Sequence, residues 1–106
     1  MAEVISIEEL RGRIDVIDDQ LVRLLNVRVA CAVEVGRLKH DAGLPIYQPD
    51  RESRVLASVR KSATELAGPL TAEAVVRIFE RIIDEARRAE RVVSERRDGS
   101  GPSSGE

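Results

Sequence analysis

Four basic residues, Arg11, Arg28, Lys39 and Arg51, and two acids, Glu52 and Glu90, have types and spacings that could hold and transform a small anion. Arg28 interrupts an apolar series between Leu24 and Cys31. A cation in that position either sets helix register, snorkels to water, or turns its guanidinium into a pocket. Glu90 follows Ile83 and Ala86 on one helical face. It is either a flank of the last turns or an acid held among apolar side chains. Glu52 is in line with Val55, Leu56 and Val59, as a carboxylate favoured by the helix dipole or as a site group. Arg11 and Lys39 share an edge stripe with Asp18, Leu25 and Ala32, and Arg51 stands between Asp50 and Glu52. Singly, each of these three reads as solvated charge. Together the set describes a cationic pocket, and arginine clusters suit carboxylates gripped in bidentate fashion. The expected ligand is a small dicarboxylate.

Distance then constrains the assembly. Arg11 and Arg28 are seventeen residues apart on one predicted helix, about 25 Å by the helical rise. They cannot grip one small molecule from the same chain. In an antiparallel homodimer, Arg11 of one subunit reaches the site built around Arg28 of the other.

Other chemistries find no support. The single Cys31 and single His40 leave no disulfide framework and no Cys/His zinc site. Cys31 reads as a small core hydrophobe, and His40 as a residue near a helix C-terminus with no assigned chemistry. There is no glycine-rich phosphate loop, no nucleophile with a placed base, and no EF-hand spacing of carboxylates. Seventeen basic and nineteen acidic residues give a net charge of -2, which removes the bulk field of a nucleic-acid binder. No apolar run has the length of a membrane span, and no secretory leader is evident. A cytoplasmic protein without metal or cofactor is expected.

The elements that must position these residues are helical. With 106 residues the chain is one domain, and with 2% aromatics its core must be aliphatic, which favours helices over a β-sandwich. Ile7, Leu10, Ile14, Ile17, Leu21, Leu24, Cys31, Val35 and Leu38 recur every three or four residues, with Arg28 filling one slot. That heptad-like stripe predicts a helix over 6–41, capped by Ser6 and stopped by Gly43 and Pro45. Pro49 opens a second helix over 49–66, with Val55, Leu56, Val59, Ala63 and Leu66 inward, ended by Gly68-Pro69. Thr71 caps a third over 72–96, with Val75, Phe79, Ile82, Ile83, Ala86 and Val93 on one face. Residues 1–96 form the expected domain, and 97–106 an expected disordered tail. A first helix of roughly 50 Å is too long for its two partners to cover, so two copies are expected to share one core.

Four blocks in this order carry a family resemblance: Leu10-Arg11-x-x-Ile14-Asp15-x-x-Asp18, Leu24-Leu25-x-x-Arg28, Ala32-Val33-Glu34-Val35-Gly36-x-x-Lys39, and Pro45-x-x-x-x-Asp50-Arg51-Glu52. The sequence resembles the all-helical, dimeric chorismate mutases over about residues 7–93. The resemblance implies conversion of chorismate to prephenate by an intramolecular Claisen rearrangement, in phenylalanine and tyrosine biosynthesis, without a cofactor. It implies that Arg28 and the partner copy's Arg11 clamp two carboxylates with Arg51 in support, and that Lys39 donates to the ether oxygen. Glu52 takes the ring hydroxyl, with the Gln48 backbone amide assisting. Three positions depart from the bacterial pattern: Gln48 replaces Asp, Ala86 replaces a common Ser, and Glu90 replaces a Gln that donates to the ether oxygen. Glu90 donates only when protonated, as in fungal relatives. Relatives of the same fold act as 4-amino-4-deoxychorismate mutases or isochorismate-pyruvate lyases; Gln48-Pro49 favours the former and Glu52 favours chorismate. A non-catalytic helical dimerisation module, or docking on another shikimate-pathway enzyme, is the reading from a different class.

Overall fold

The computed structural model describes residues 4–45 and 47–97. Three helices follow in order: α1 (Ile7–Asp41), α2 (Pro49–Leu66) and α3 (Ala72–Arg97). Among the described residues there is no strand, and no helix is long and apolar enough to cross a membrane.

Local chemistry sets each boundary. The Ser6 hydroxyl accepts from the Glu9 amide at 3.0 Å while the Glu9 carboxylate accepts from the Ser6 amide at 2.9 Å. This reciprocal capping box satisfies two amides that the first helical turn leaves unpaired. At the other end of α1, Gly43 takes a φ of 71°. That left-handed turn brings the Leu44 amide back to the Lys39 carbonyl at 2.8 Å. Pro49 sits in the first turn of α2, where its missing N–H costs nothing. The Thr71 hydroxyl accepts from the Ala74 amide at 3.0 Å and caps α3. Helix α2 ends on Ala67 in left-handed geometry, one residue before the expected Gly68-Pro69 break.

Helix α3 packs against both α1 and α2, and no comparable contact joins α1 to α2. The two side helices therefore flank α3 and leave a gap between themselves. Ion pairs tie the ends: Arg60 to Glu73 between α2 and α3, and Arg97 to Asp41 at 3.0 Å between α3 and α1. Helix α3 runs through Arg97, one residue past the expected end. The rest of the expected tail, 98–106, lies outside the described residues.

The inward faces of α2 and α3 largely follow the apolar pattern. Val55, Leu56, Val59 and Ala63 are half-buried, as are Val75, Phe79, Ile82, Ile83 and Val93. Leu66 is a correction: it is 81% exposed, because α2 ends there beyond the reach of α3. The larger difference concerns α1. Its expected apolar stripe is exposed throughout, with Ile14, Leu21 and Val35 each about half accessible. Cys31, expected as a core hydrophobe, is exposed as well. The face turned to α3 is one step round the helix, through Val29, Ala32, Val33 and Gly36. Among the described residues only Gly36 and Ala86 are buried. The molecule measures 67 × 34 × 17 Å, a slab too thin to enclose the α1 stripe.

The capping box generates a stability prediction. Ser6→Ala should cost about 1 kcal/mol, lowering the melting temperature by roughly 4–8 °C in a domain of this size. Thermal denaturation followed by circular dichroism reads this directly, and an unchanged midpoint would mean that the cap contributes nothing.

Candidate active site

The gap between α1 and α2 over α3 is a cleft of about 290 Å³. Helix α1 supplies Arg28, Cys31, Ala32, Val35 and Lys39 to its wall. The start of α2 supplies Gln48, Arg51, Glu52 and Val55, and α3 the floor of Ile83, Ala86, Arg87 and Glu90. Seven of the eight residues singled out from the sequence thus converge on one cavity: Arg28, Lys39, Gln48, Arg51, Glu52, Ala86 and Glu90. Arg11 does not. It lies on the exposed N-terminal half of α1, outside the cleft of its own chain.

Each side chain owes its place to a local feature. Arg28 is half-buried because its guanidinium lies over the Phe79 ring, 5.8 Å from the centroid. A cation over an aromatic face keeps favourable electrostatics while losing water. Ala86 is only 4% exposed and, having no more than a methyl group, leaves the floor open to the cavity. Glu90 reaches α1 at Gly36. A Cβ built on Gly36 would stand 3.1 Å from the Glu90 Oε1, so the absence of a side chain there creates the seat for the carboxyl group.

That seat alters the chemistry of Glu90. Burial raises its carboxyl above the ordinary value of 4.5, with the nearby Glu52 adding to the rise, while Lys39 and Arg87 oppose it. Desolvation is the larger effect, so the neutral, proton-donating form is favoured relative to a surface glutamate. Lys39, on the α1 wall of the same cavity, carries an amine that can donate hydrogen bonds.

The sequence reading missed Arg87. Its guanidinium donates to the Glu52 carboxylate at 2.5 Å and to Asp84 at 3.3 Å, and lies over the Tyr47 ring at 5.3 Å from the centroid. The Glu52 pairing is the largest cause holding the Arg87 guanidinium more firmly protonated than usual. The position was legible in principle: Arg87 is four residues past Ile83 and three before Glu90, hence on the same face. It was hidden in the run Glu85-Ala86-Arg87-Arg88, which reads as solvated charge. Among the described residues no group of three His, Cys, Asp or Glu side chains could hold a metal ion.

Residues 10–91 match the family described as chorismate mutase type II. The chain belongs to that family. It is 38% identical over 79 residues to the bifunctional chorismate mutase/prephenate dehydratase of Aquifex aeolicus, covering 74% of this chain and 22% of that protein. A T-protein of Enterobacter agglomerans is 46% identical over 66 residues, 62% of this chain and 18% of the relative. The chain thus spans about a fifth of the length of these two relatives. Among solved structures, a chorismate mutase from Thermus thermophilus superposes with a TM-score of 0.74 at 33% identity, covering 80% of this chain and 93% of the other. This mutase-family cleft is where the cationic set, Arg11 excepted, is assembled.

The raised carboxyl of Glu90 has a consequence for stability. A group protonated more readily in the folded chain contributes most below the ordinary value of 4.5, and that contribution is lost as pH rises through the raised value. Glu90→Gln should therefore melt higher than the wild type at neutral pH, with the gap closing in acid. Melting curves of both proteins across pH 4 to 8, a range of about four units spanning the titration, check this; a gap independent of pH would contradict it.

Proposed function

We propose that this chain is a chorismate mutase, converting chorismate to prephenate in phenylalanine and tyrosine biosynthesis. The observation that carries the reading is the meeting of Arg28, Lys39, Arg51, Glu52 and Glu90 around one cleft in a chain of this family. The reaction is an intramolecular Claisen rearrangement through a chair-like geometry: one C–O bond breaks and one C–C bond forms within a single molecule. It requires no nucleophile and no cofactor. The protein has two tasks, to select the compact conformer and to stabilise charge that develops as the ether bond lengthens.

The residues divide between those tasks. Arg28 grips one substrate carboxylate with Arg51 in support, and together with the second clamp described below it holds the reacting carbons together over the space left by Ala86. Lys39 donates to the ether oxygen, whose negative charge grows in the transition state. Protonated Glu90 is the second donor to that oxygen, from the α3 floor. Glu52 accepts from the ring hydroxyl, and the Gln48 backbone amide assists. A transition-state charge stabilised by fixed donors in a partly dry cleft needs no reorganisation of solvent at the moment of reaction.

The site is completed by a second copy. The exposed stripe of α1, with Leu10, Ile14, Ile17, Leu21 and Leu24, supports an isologous homodimer in which two long helices pack together. Arg11 then serves the partner's cleft as its second carboxylate clamp. Such a protein is expected in the cytoplasm. The fusion named in the Aquifex aeolicus relative supports a further association with a pathway enzyme that consumes prephenate.

Three results test the proposal. Incubation of the purified protein with chorismate should remove the diene absorbance and yield prephenate; no product would overturn the reading. Lys39→Ala should lower kcat by roughly 10²–10³ with the fold intact, by analogy with loss of an oxyanion donor. Wild-type turnover should fall with rising pH as Glu90 ionises, and Glu90→Gln should flatten the profile. The shared site has its own measurement. Arg11→Ala and Arg28→Ala should each be nearly inactive. Mixing them with subunit exchange should restore about a quarter of wild-type sites, because half the dimers are mixed and each has one intact site. No recovery from a mixture shown to exchange subunits would place both arginines in the same protomer's site or outside it.

A further inference from the structure

We infer that Arg87 is a specificity-determining positioning residue, which pairs with Glu52 so that the cleft selects a ring hydroxyl over an ammonium group at the same substrate position. The inference rests on the mutase reading and on the role given there to Glu52.

The geometry is particular to this pair. Arg87 rises from the floor helix between Ala86 and Glu90 and takes the Oε2 of Glu52 at 2.5 Å. Both side chains are about 30% exposed, so their interaction is screened less than that of the ion pairs on the helix surfaces. Asp84 also receives Arg87, at 3.3 Å, but it is 59% exposed and largely solvated. The guanidinium also lies over the Tyr47 ring of the α1–α2 loop, 5.3 Å from its centroid. Arg87 thus has three anchors on two helices and the loop.

The chemical consequence follows from charge. A carboxylate with no partner cation facing a substrate ring binds an ammonium at least as well as a hydroxyl, because a charge-assisted hydrogen bond is the stronger one. Once Arg87 neutralises Glu52 and occupies one of its oxygens, the other oxygen remains as an acceptor for a single neutral donor. A hydroxyl supplies that donor. An ammonium at the same place meets a guanidinium behind the carboxylate, and juxtaposed like charges are penalised. Discrimination here comes from a built-in repulsion as well as an attraction. This also addresses the choice left open by Gln48-Pro49 and Glu52, since Arg87 decides how Glu52 behaves. The role is indirect: Arg87 acts through Glu52 and need not touch the substrate.

The test compares kcat/KM of the full chain for chorismate and for 4-amino-4-deoxychorismate, in wild type, Arg87→Met and Arg87→Lys. Wild type should prefer chorismate. Arg87→Met should lower that preference at least about tenfold, the scale expected when a close like charge is removed. Arg87→Lys, which keeps the charge, should retain most of it. Should Arg87→Met fail to fold, Arg87→Gln removes the charge while keeping a hydrogen bond to Glu52, and the same drop is expected. Equal losses on both substrates would overturn the inference, since a merely structural role lowers both alike. Wild-type preference for the amine would overturn it too, while leaving the mutase reading in place. A wild-type protein inert towards chorismate would sink the mutase reading itself, before any Arg87 variant is made.

Discussion

The approach of α3 to α1 at Gly36 is the contact on which the rest of the site depends. Gly36 is the one buried residue of a 35-residue helix, and the space beside its Cα is filled by the carboxyl end of Glu90. Close packing at this point leaves the two helices near enough for Lys39 and Glu90 to face the same cavity. A larger residue at position 36 would press on Oε1 and drive the carboxyl outward or the helices apart. One glycine therefore couples the packing of the fold to the protonation of the group that faces the cleft.

The cleft also depends on what does not touch. Helices α1 and α2 each rest on α3 without meeting. The gap between them is where six charged residues can be brought together without a fully buried, unpaired charge. Arg28 is stabilised over Phe79, Glu52 by Arg87, and Arg87 in turn by Tyr47. Charges arranged in this way are partly dehydrated and yet compensated, which preserves their orientation for a ligand that carries charge of its own. A net charge of -2 for the chain conceals this local excess of cations, because most of the acids lie elsewhere on the helix surfaces.

Stability within the single chain comes from thin sources. Ala86 is the one buried apolar side chain among the described residues, and the ion pairs at Arg23–Asp19, Arg81–Glu85 and Lys61–Glu65 are exposed. Exposed pairs of this kind contribute about 0–1 kcal/mol each. The apolar stripe of α1 remains outside that slab, which is why the homodimer proposal bears on folding as much as on catalysis.

Helix order and most boundaries were written in the sequence, because caps, prolines and apolar spacing act over a few residues. Ser6 with Glu9, Pro49 and Thr71 each fix an end through neighbours no more than four positions away. The cationic set was legible for a related reason: Arg28 and Glu90 interrupt apolar faces whose period is local. Three matters were decided only by tertiary structure. Which face of α1 meets α3 depended on the small residues Ala32 and Gly36 rather than on the more apolar stripe beside them. Arg87 could not be told from its exposed neighbour Arg88 until α2 brought Glu52 to it across thirty-five positions. The seat of Glu90 required Gly36, distant in sequence and adjacent in space. Periodicity reports which side of a helix is buried or charged, but pairing between helices depends on distances that no single helix encodes.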